Sequence, residues 1–268
     1  GVKSVGVGNR AAVNNVISCG TCYACKIGRS NVCRDVKVLG VHVEGGYKEY
    51  VKVNQENVYT LPSTIPWDHA ALIEPYSIAA QVVERGRLTK DDIVFICGAG
   101  PLGLITLQAV KRLGVKVAML DIVESRLAKA HELGADLVIN GKTDAVTDEL
   151  MEFTGGEGAS LIVESTGNIA VLEACVAEYA SQARRIVVLG FPQAKAKISP
   201  YDIMRRELDI IGSRLNNNQF PTAISWMKNN EVNPEQIISH SFSYMDVKQA
   251  MDMINNDPEE VLKVVLQF

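Results

Sequence analysis

From about residue 90 the chain settles into a rhythm that few folds accommodate. "DDIVFIC" reads as a strand, "LGLITLQAVKRLG" as a helix and "KVAMLD" as a strand again. The alternation continues through helix "SRLAKAHELGA", strand "DLVIN", helix "AVTDELMEFTG" and strand "SLIVES". Helix "NIAVLEACVAEYA" and strands "RRIVVLG" and "ELDIIGS" complete it. Short apolar strands joined through helices need cover on both faces of their sheet. The pattern predicts an α/β fold built on a doubly wound parallel sheet.

The flanks read differently. Residues 1–75 hold short runs such as "NRAAV", "GGYKEYVKV" and "NVYTLP", which read as strands and turns bounded by glycine, asparagine or proline. After "SRLNNNQFP" come helix "AISWMKNN", helix "DVKQAMDMINN" and a closing strand "VLKVVLQF". The expected organisation is a β-rich region over 1–75, an inserted α/β domain over 76–213 and a C-terminal return over 214–268. Beginning with Gly1 rather than methionine, the chain reads as a fragment or a processed form.

Composition excludes several function classes. The formal net charge of −4, with lysines and arginines scattered along 268 residues, argues against nucleic acid and anionic membranes, which need a concentrated basic face. No run approaches the roughly 18 apolar residues of a membrane span, and no leader pattern opens the chain. A cytoplasmic protein is the simplest expectation.

Four of the six cysteines, Cys19, Cys22, Cys25 and Cys33, crowd into "CGTCYACKIGRSNVC" with the spacing C-x2-C-x2-C-x7-C. In a reducing compartment such clustering points to metal, and disulfides between such close neighbours would close only tiny loops. An iron–sulfur site would share the first two spacings, but its fourth cysteine follows after three residues and precedes proline. Here Cys33 follows after seven and precedes Arg34. Tetrahedral zinc bound by four thiolates fits better; such a site has no open position and serves to fold a loop.

Between the first strand and helix of the α/β region lies "CGAGPLG", with Gly98, Gly100 and Gly103 in the G-x-G-x-x-G spacing around Pro101 and Leu102. The spacing alone is weak; its place between strand and helix raises it. Gly98 permits the tight turn, Gly100 lets a pyrophosphate approach, and Gly103 lets the helix sit close to the sheet, a Rossmann arrangement. The helix N-terminus offers N–H groups to the phosphates. Asp121 ends the next strand eighteen residues after Gly103, placed to accept hydrogen bonds from the adenosine ribose and to repel a 2′-phosphate. NAD is therefore expected over NADP; a tight βα turn followed by an unrelated surface aspartate is the alternative. Arg126 either borders the adenine or is a solvated helix residue.

The cysteine lobe followed by G-x-G-P-x-G and the strand-end aspartate resembles the zinc-containing medium-chain alcohol dehydrogenases. Gly8, Asn9 and Arg10 match that family's Gly-Asp-Arg approach to the lobe, and "GGYKEYV" and "ALIEPYSIA" are similar to family segments. Within the family, the Glu-Pro of the second segment and "SRLNNNQFP" are most similar to the sorbitol, threonine and sugar-acid branch, near the starvation-sensing, gulonate and galactonate dehydrogenases. The resemblance implies a GroES-like catalytic domain interrupted by the Rossmann domain, and an NAD-dependent oxidoreductase that is a homodimer or homotetramer. It implies zinc-assisted hydride transfer from a small polyol or sugar acid.

It also implies a second, catalytic zinc. Of its ligand positions only Glu74 is matched here, and a helix-start carboxylate is the alternative for Glu74. The family's first ligand cysteine and its Gly-His-Glu segment are not in the sequence, which puts the activity of this chain in question. His42, His69, His131 and His240 fall at no ligand spacing. By resemblance Thr166, Gly167, Leu189 and Gly190 border the nicotinamide half of the cofactor; ordinary strand-end turns are the alternative. In "GSRLNNNQFP", Arg214 offers a fork of donors suited to a carboxylate or to the cofactor. Asn216, Asn217 and Asn218 either offer amides to hydroxyls or cap a turn. The alternatives are a zinc- and NAD-binding sensor or scaffold without catalysis and a threonine- or sorbitol-type dehydrogenase.

Overall fold

A computed structural model describes residues 2–268, which divide into two compact units. The first runs up to Gln81 and takes in Arg214–Glu231; the second comprises Val82–Ser213 and Val232–Phe268.

In the first unit β1 (Ala11–Val13) is laid down ahead of β2 (Val16–Ile17), and a short helix α1 (Tyr23–Lys26) follows. Next come β3 (Lys37–Val38), β4 (Val58–Thr60) and the helices α2 (Trp67–Ala70) and α3 (Ile73–Arg85), the last of which carries the division between the units. β1 pairs antiparallel with β4, and β2 with β3. Ladders this short need side-chain ties. Arg10 supplies one: its guanidinium donates to the carbonyls of Pro62, Ser63 and Ile65 at 3.2, 3.1 and 2.7 Å and lies 4.1 Å over the Trp67 ring. The expected strand in "GGYKEYVKV" does not form. Residues 45–53 pair with no other strand among the described residues, and Tyr47 and Tyr50 are exposed. Alternation alone cannot hold a strand whose backbone finds no ladder.

The second unit follows the predicted rhythm. β5 (Ile93–Cys97), α4 (Pro101–Lys111), β6 (Lys116–Asp121), α5 (Glu124–Glu132), β7 (Leu137–Asn140) and α6 (Val146–Phe153) form its first half. β8 (Leu161–Glu164), α7 (Ile169–Ala174), β9 (Arg185–Val188), α8 (Pro200–Arg206) and β10 (Asp209–Gly212) form the second. The strands make one parallel sheet in the order β10-β9-β8-β5-β6-β7. Val94, Phe95, Ile96 and Cys97 of β5 are fully buried, as a strand covered on both faces requires. Phe95 meets Tyr179 edge-on, with ring centroids 5.5 Å apart.

Two differences from the sequence reading stand out. The helix expected over "NIAVLEACVAEYA" passes after Ala174 into a π-helical turn, Cys175–Tyr179. Helix α8 was not expected, although Ser199 caps it by accepting from the Asp202 amide at 3.2 Å, Pro200 opens it and Arg205 and Arg206 close it.

After α9 (Phe220–Lys228), which belongs to the first unit, β11 (Ile238–Ser243), α10 (Val247–Asn256) and β12 (Lys263–Gln267) close the chain. β11 and β12 pair in parallel. Only Arg214–Glu231 of the expected 214–268 return falls in the first unit. Specific ties explain where the rest goes. Gln108 on α4 exchanges hydrogen bonds with the Asn233 backbone at 2.8 and 3.0 Å, and Arg126 on α5 donates to the Pro258 carbonyl at 2.8 Å.

Candidate functional site

The strand order reverses once within the sheet. The chain steps outward from β5 to β6 and β7, then returns to place β8 on the other side of β5. Loops leaving the carboxyl ends of β5 and β8 therefore diverge and open a crevice, where ligands of open α/β sheets bind. The loop after β5 is the glycine loop. Gly98 has φ +105°, a conformation that favours glycine. A Cβ on Gly103 would lie 1.9 Å from the Gly98 carbonyl oxygen, so helix α4 can approach the sheet only without one. A Cβ on Gly100 meets nothing within 4 Å, which leaves open space above the loop. Pro101 opens α4, and Leu102, partly buried, receives the Thr106 hydroxyl on its carbonyl at 2.8 Å. These features fit a dinucleotide pyrophosphate.

Asp121 stands beside this loop and braces it. Its Oδ2 accepts from the Ala99 amide at 2.6 Å, and its Oδ1 accepts from Ile122 and Val123 at 2.7 and 3.0 Å. Three of roughly four lone-pair sites are used. Arg126 commits part of its guanidinium to Pro258.

The loops after β8 and β9 meet around Glu164. This carboxylate is fully buried at the end of β8. Its Oε1 accepts from the Thr166 amide at 2.8 Å, the Thr166 hydroxyl at 2.5 Å and the Gly167 amide at 3.0 Å. Its backbone carbonyl accepts from Leu189 and Gly190, both at 2.9 Å. Thr166, Gly167, Leu189 and Gly190 are thus brought together at the carboxyl edge of the sheet. Sequence reasoning missed Glu164, whose one signal was an acid closing an apolar strand.

In the first unit the four cysteines converge, with all four sulfurs within 4.8 Å of one another. The Cys22–Cys25 and Cys19–Cys33 sulfurs lie 3.5 and 3.4 Å apart, and all six cysteines of the chain are free thiols. Four sulfurs about 2.3 Å from one zinc would stand roughly 3.8 Å apart, so little movement is needed. Amides of Cys22, Cys19 and Asp35 point at sulfurs at 3.3–3.4 Å, the pattern that supports thiolates. Hydrogen bonds from Thr21, the backbone first, hold the Cys19 thiol down at about 6, whereas burial and the Cys22 thiol push Cys25 up to about 11. A divalent cation resolves such opposed tendencies, because coordinating thiols bind deprotonated.

Glu74 lies in the first turn of α3, partly buried, with its carbonyl accepting from the Ser77 hydroxyl at 2.6 Å. Among the described residues it joins no group of three or more His, Cys, Asp or Glu side chains near enough to share an ion. A catalytic zinc therefore does not fit the side chains gathered around Glu74. His42 accepts from the Val38 amide at 3.1 Å, His131 sits on α5, and His240 lies within β11 stacked on Phe242.

The stretch after β10 braces the cysteine lobe. Asn31 donates to the Arg214 carbonyl at 2.8 Å, Ser30 pairs with the Asn217 side chain at 3.4 Å, and Asn217 donates to the Gly28 carbonyl at 2.8 Å. Asn216, 1% exposed, pairs with Asn14 at 3.4 Å. Two of the three asparagines are spent internally, so only Asn218 and the Arg214 side chain stay exposed.

Comparison with known proteins decides the family. Residues 101–229 match the family model for zinc-binding dehydrogenases, and residues 1–63 match the alcohol dehydrogenase GroES-like domain. The chain is 39% identical over 270 residues to the starvation-sensing protein RspB of Escherichia coli K12, covering 100% of this chain and 79% of that protein. The chain belongs to the zinc-type medium-chain alcohol dehydrogenase family. This family places it among oxidoreductases, and the expected pairing of a GroES-like domain with a Rossmann domain is borne out. A solved member from E. coli CFT073, described as a short chain alcohol dehydrogenase (rspB) complexed with cofactor NADH, superposes with a TM-score of 0.93 at 38% identity. That match covers 98% of this chain and 77% of the other. A sorbitol dehydrogenase of Bacillus subtilis is 30% identical over 97% of this chain and 74% of its own length.

Proposed function

We propose that this medium-chain dehydrogenase uses NAD to oxidise a secondary hydroxyl of a polyol or sugar acid. The observation that carries the reading is the glycine loop at the reversal of strand order, with Asp121 beside it. In this reading Gly98, Gly100, Pro101, Leu102 and Gly103 hold the pyrophosphate, and Asp121 spends its remaining acceptor capacity on the adenosine ribose. Arg126 lies at the adenosine end, and Thr166, Gly167, Leu189 and Gly190 border the nicotinamide half. When bound, NAD supplies the two-electron acceptor, and Glu74 alone cannot hold a catalytic metal ion. Cys19, Cys22, Cys25 and Cys33 hold a structural zinc that fixes the lobe.

The finer substrate assignment rests on Arg214, whose exposed planar fork suits a carboxylate. Assaying ethanol, sorbitol, threonine, gulonate and galactonate with NAD tests it. The sugar acids are expected to lead; ethanol ahead of every other compound overturns the class, and sorbitol ahead of both acids overturns the role of Arg214.

A further inference from the structure

We infer that Glu164 is a positioning residue that preorganises the loops around the nicotinamide half of the dinucleotide; the inference rests on the NAD reading above. Every other residue of β8, Leu161, Ile162 and Val163, is apolar and fully buried. Glu164 is equally buried and stands level with Cys97 of β5 and Val188 of β9, in the middle of the sheet at the mouth of the crevice. A carboxylate here is costly unless fully hydrogen-bonded, and it is compensated on one side only. Oε1 takes three donors, while Oε2 is buried without a hydrogen-bond partner. No ion pair to a cation offsets it among the described residues.

A residue kept for packing alone would be another Val or Leu. What the carboxylate adds is control of two loops at once. Its side chain draws in the consecutive amides of Thr166 and Gly167, and its backbone carbonyl draws in those of Leu189 and Gly190. The fit around the uncompensated oxygen is close. A Cβ on Gly190 would lie 2.4 Å from Oε2 and 2.4 Å from the Gly167 amide nitrogen. Gly167 itself has φ +68°. Two glycines have therefore been given over to bringing these loops against one buried carboxylate. Loops fixed before the ligand arrives reduce the ordering cost of binding.

Glu164 itself makes no hydrogen bond to Asp121 or to the glycine loop, which it meets only through Thr166 and Ser165 beside Gly98, so the nicotinamide half of the dinucleotide should respond more strongly than the other. Affinities of NADH and of ADP-ribose, which lacks the nicotinamide, are measured by calorimetry on the full chain and on Glu164→Asp, Glu164→Ala and Glu164→Gln. Thermal melts confirm that each variant is folded. Shortening the side chain in Glu164→Asp withdraws the accepting oxygen, as Glu164→Ala removes it. Both are expected to weaken NADH at least about tenfold and ADP-ribose less than about threefold. Glu164→Gln keeps an accepting oxygen and is expected to recover most of the NADH affinity. Equal losses for both ligands in a folded variant, or unchanged NADH affinity in Glu164→Asp, would overturn the inference. If the unaltered chain bound neither ligand, the NAD reading would fail and take this one with it.

Discussion

At the scale of single residues, the dinucleotide loop turns on the absence of one carbon atom. Gly103→Ala drives a methyl group toward the Gly98 carbonyl, a backbone atom that cannot swing aside. Helix α4 must shift, at a cost of about 1–3 kcal/mol in stability, and NADH affinity is expected to fall more steeply than the melting temperature. Isothermal titration beside a thermal melt checks both. For Asp121 the expected outcome is a change of preference. A hydrogen bond to a charged acceptor is worth ~1.5–3 kcal/mol, so Asp121→Ser should narrow the NADH-over-NADPH ratio by about tenfold or more. Part of the loss will come from the Ala99 amide that Asp121 now holds, and Asp121→Asn separates the two because it keeps an accepting oxygen for that amide. Equal affinity for both cofactors in the unaltered chain would sink the assignment. The glycines and Asp121 were legible because their spacing is local. Glu164 was not, because its burial depends on which strands flank β8. The internal pairing of Asn216 with Asn14 likewise joins positions 202 apart in sequence.

At the scale of elements, the sheet is tied at its amino-terminal edge by an ion pair between the partly buried Arg185 on β9 and the buried Asp92 just before β5. Arg185 also donates to the carbonyls of Gly86 and Arg87 at 2.6 and 2.8 Å. Burial works to raise the Asp92 carboxyl, but the Ser160 hydroxyl, the Thr89 amide and Arg185 hold it below the usual carboxylate range. A carboxyl lowered on folding contributes stability above its unfolded value of about 3.9, and that contribution is lost as pH falls through the folded value. Urea midpoints at pH 7, 4 and 3 should therefore drop toward acid, and less steeply in Asp92→Asn. Asp92→Ala leaves the partly buried Arg185 guanidinium with its carbonyl partners alone and is expected to cost about 1–3 kcal/mol at neutral pH.

In the cysteine lobe, metal analysis is expected to find one zinc per chain that survives mild dialysis and is lost in Cys25→Ser. Iron with visible absorbance would overturn the zinc assignment. The central strands β5, β6 and β8 were readable because each buries a continuous apolar run. Helix α8 escaped because "SPYDIMRRELD" carries its signals in caps rather than in an apolar stripe. The tract "GGYKEYVKV" misled because alternation shows which faces a strand would have but not whether a partner exists.

At the scale of the whole molecule, β10 forms one edge of the six-stranded sheet and exposes Asp209, Ile210 and Gly212. An edge leaves backbone groups unpaired, a liability that proteins pair or cover. A homodimer or homotetramer is expected, so light scattering should return twice or four times 29.2 kDa. A steady 29.2 kDa species at micromolar concentration would refute assembly. No helix among the described residues is long and apolar enough to cross a membrane.

The first unit is discontinuous, and that gives its assembly a timetable. The cysteines of the lobe emerge from the ribosome early, but Arg214 and Asn217, which brace it through Asn31, Ser30 and Gly28, are made far later. At ~5–20 residues per second the gap is roughly 10–40 s. During that interval the four thiolates can take metal while the loop is held only by bonds local to it, its amide-to-sulfur contacts, its backbone turns and the β2–β3 pair. A zinc held there would keep the shape of the lobe until the bracing segment arrives. A chain translated in zinc shortage is expected to reach Arg214 with the lobe less ordered.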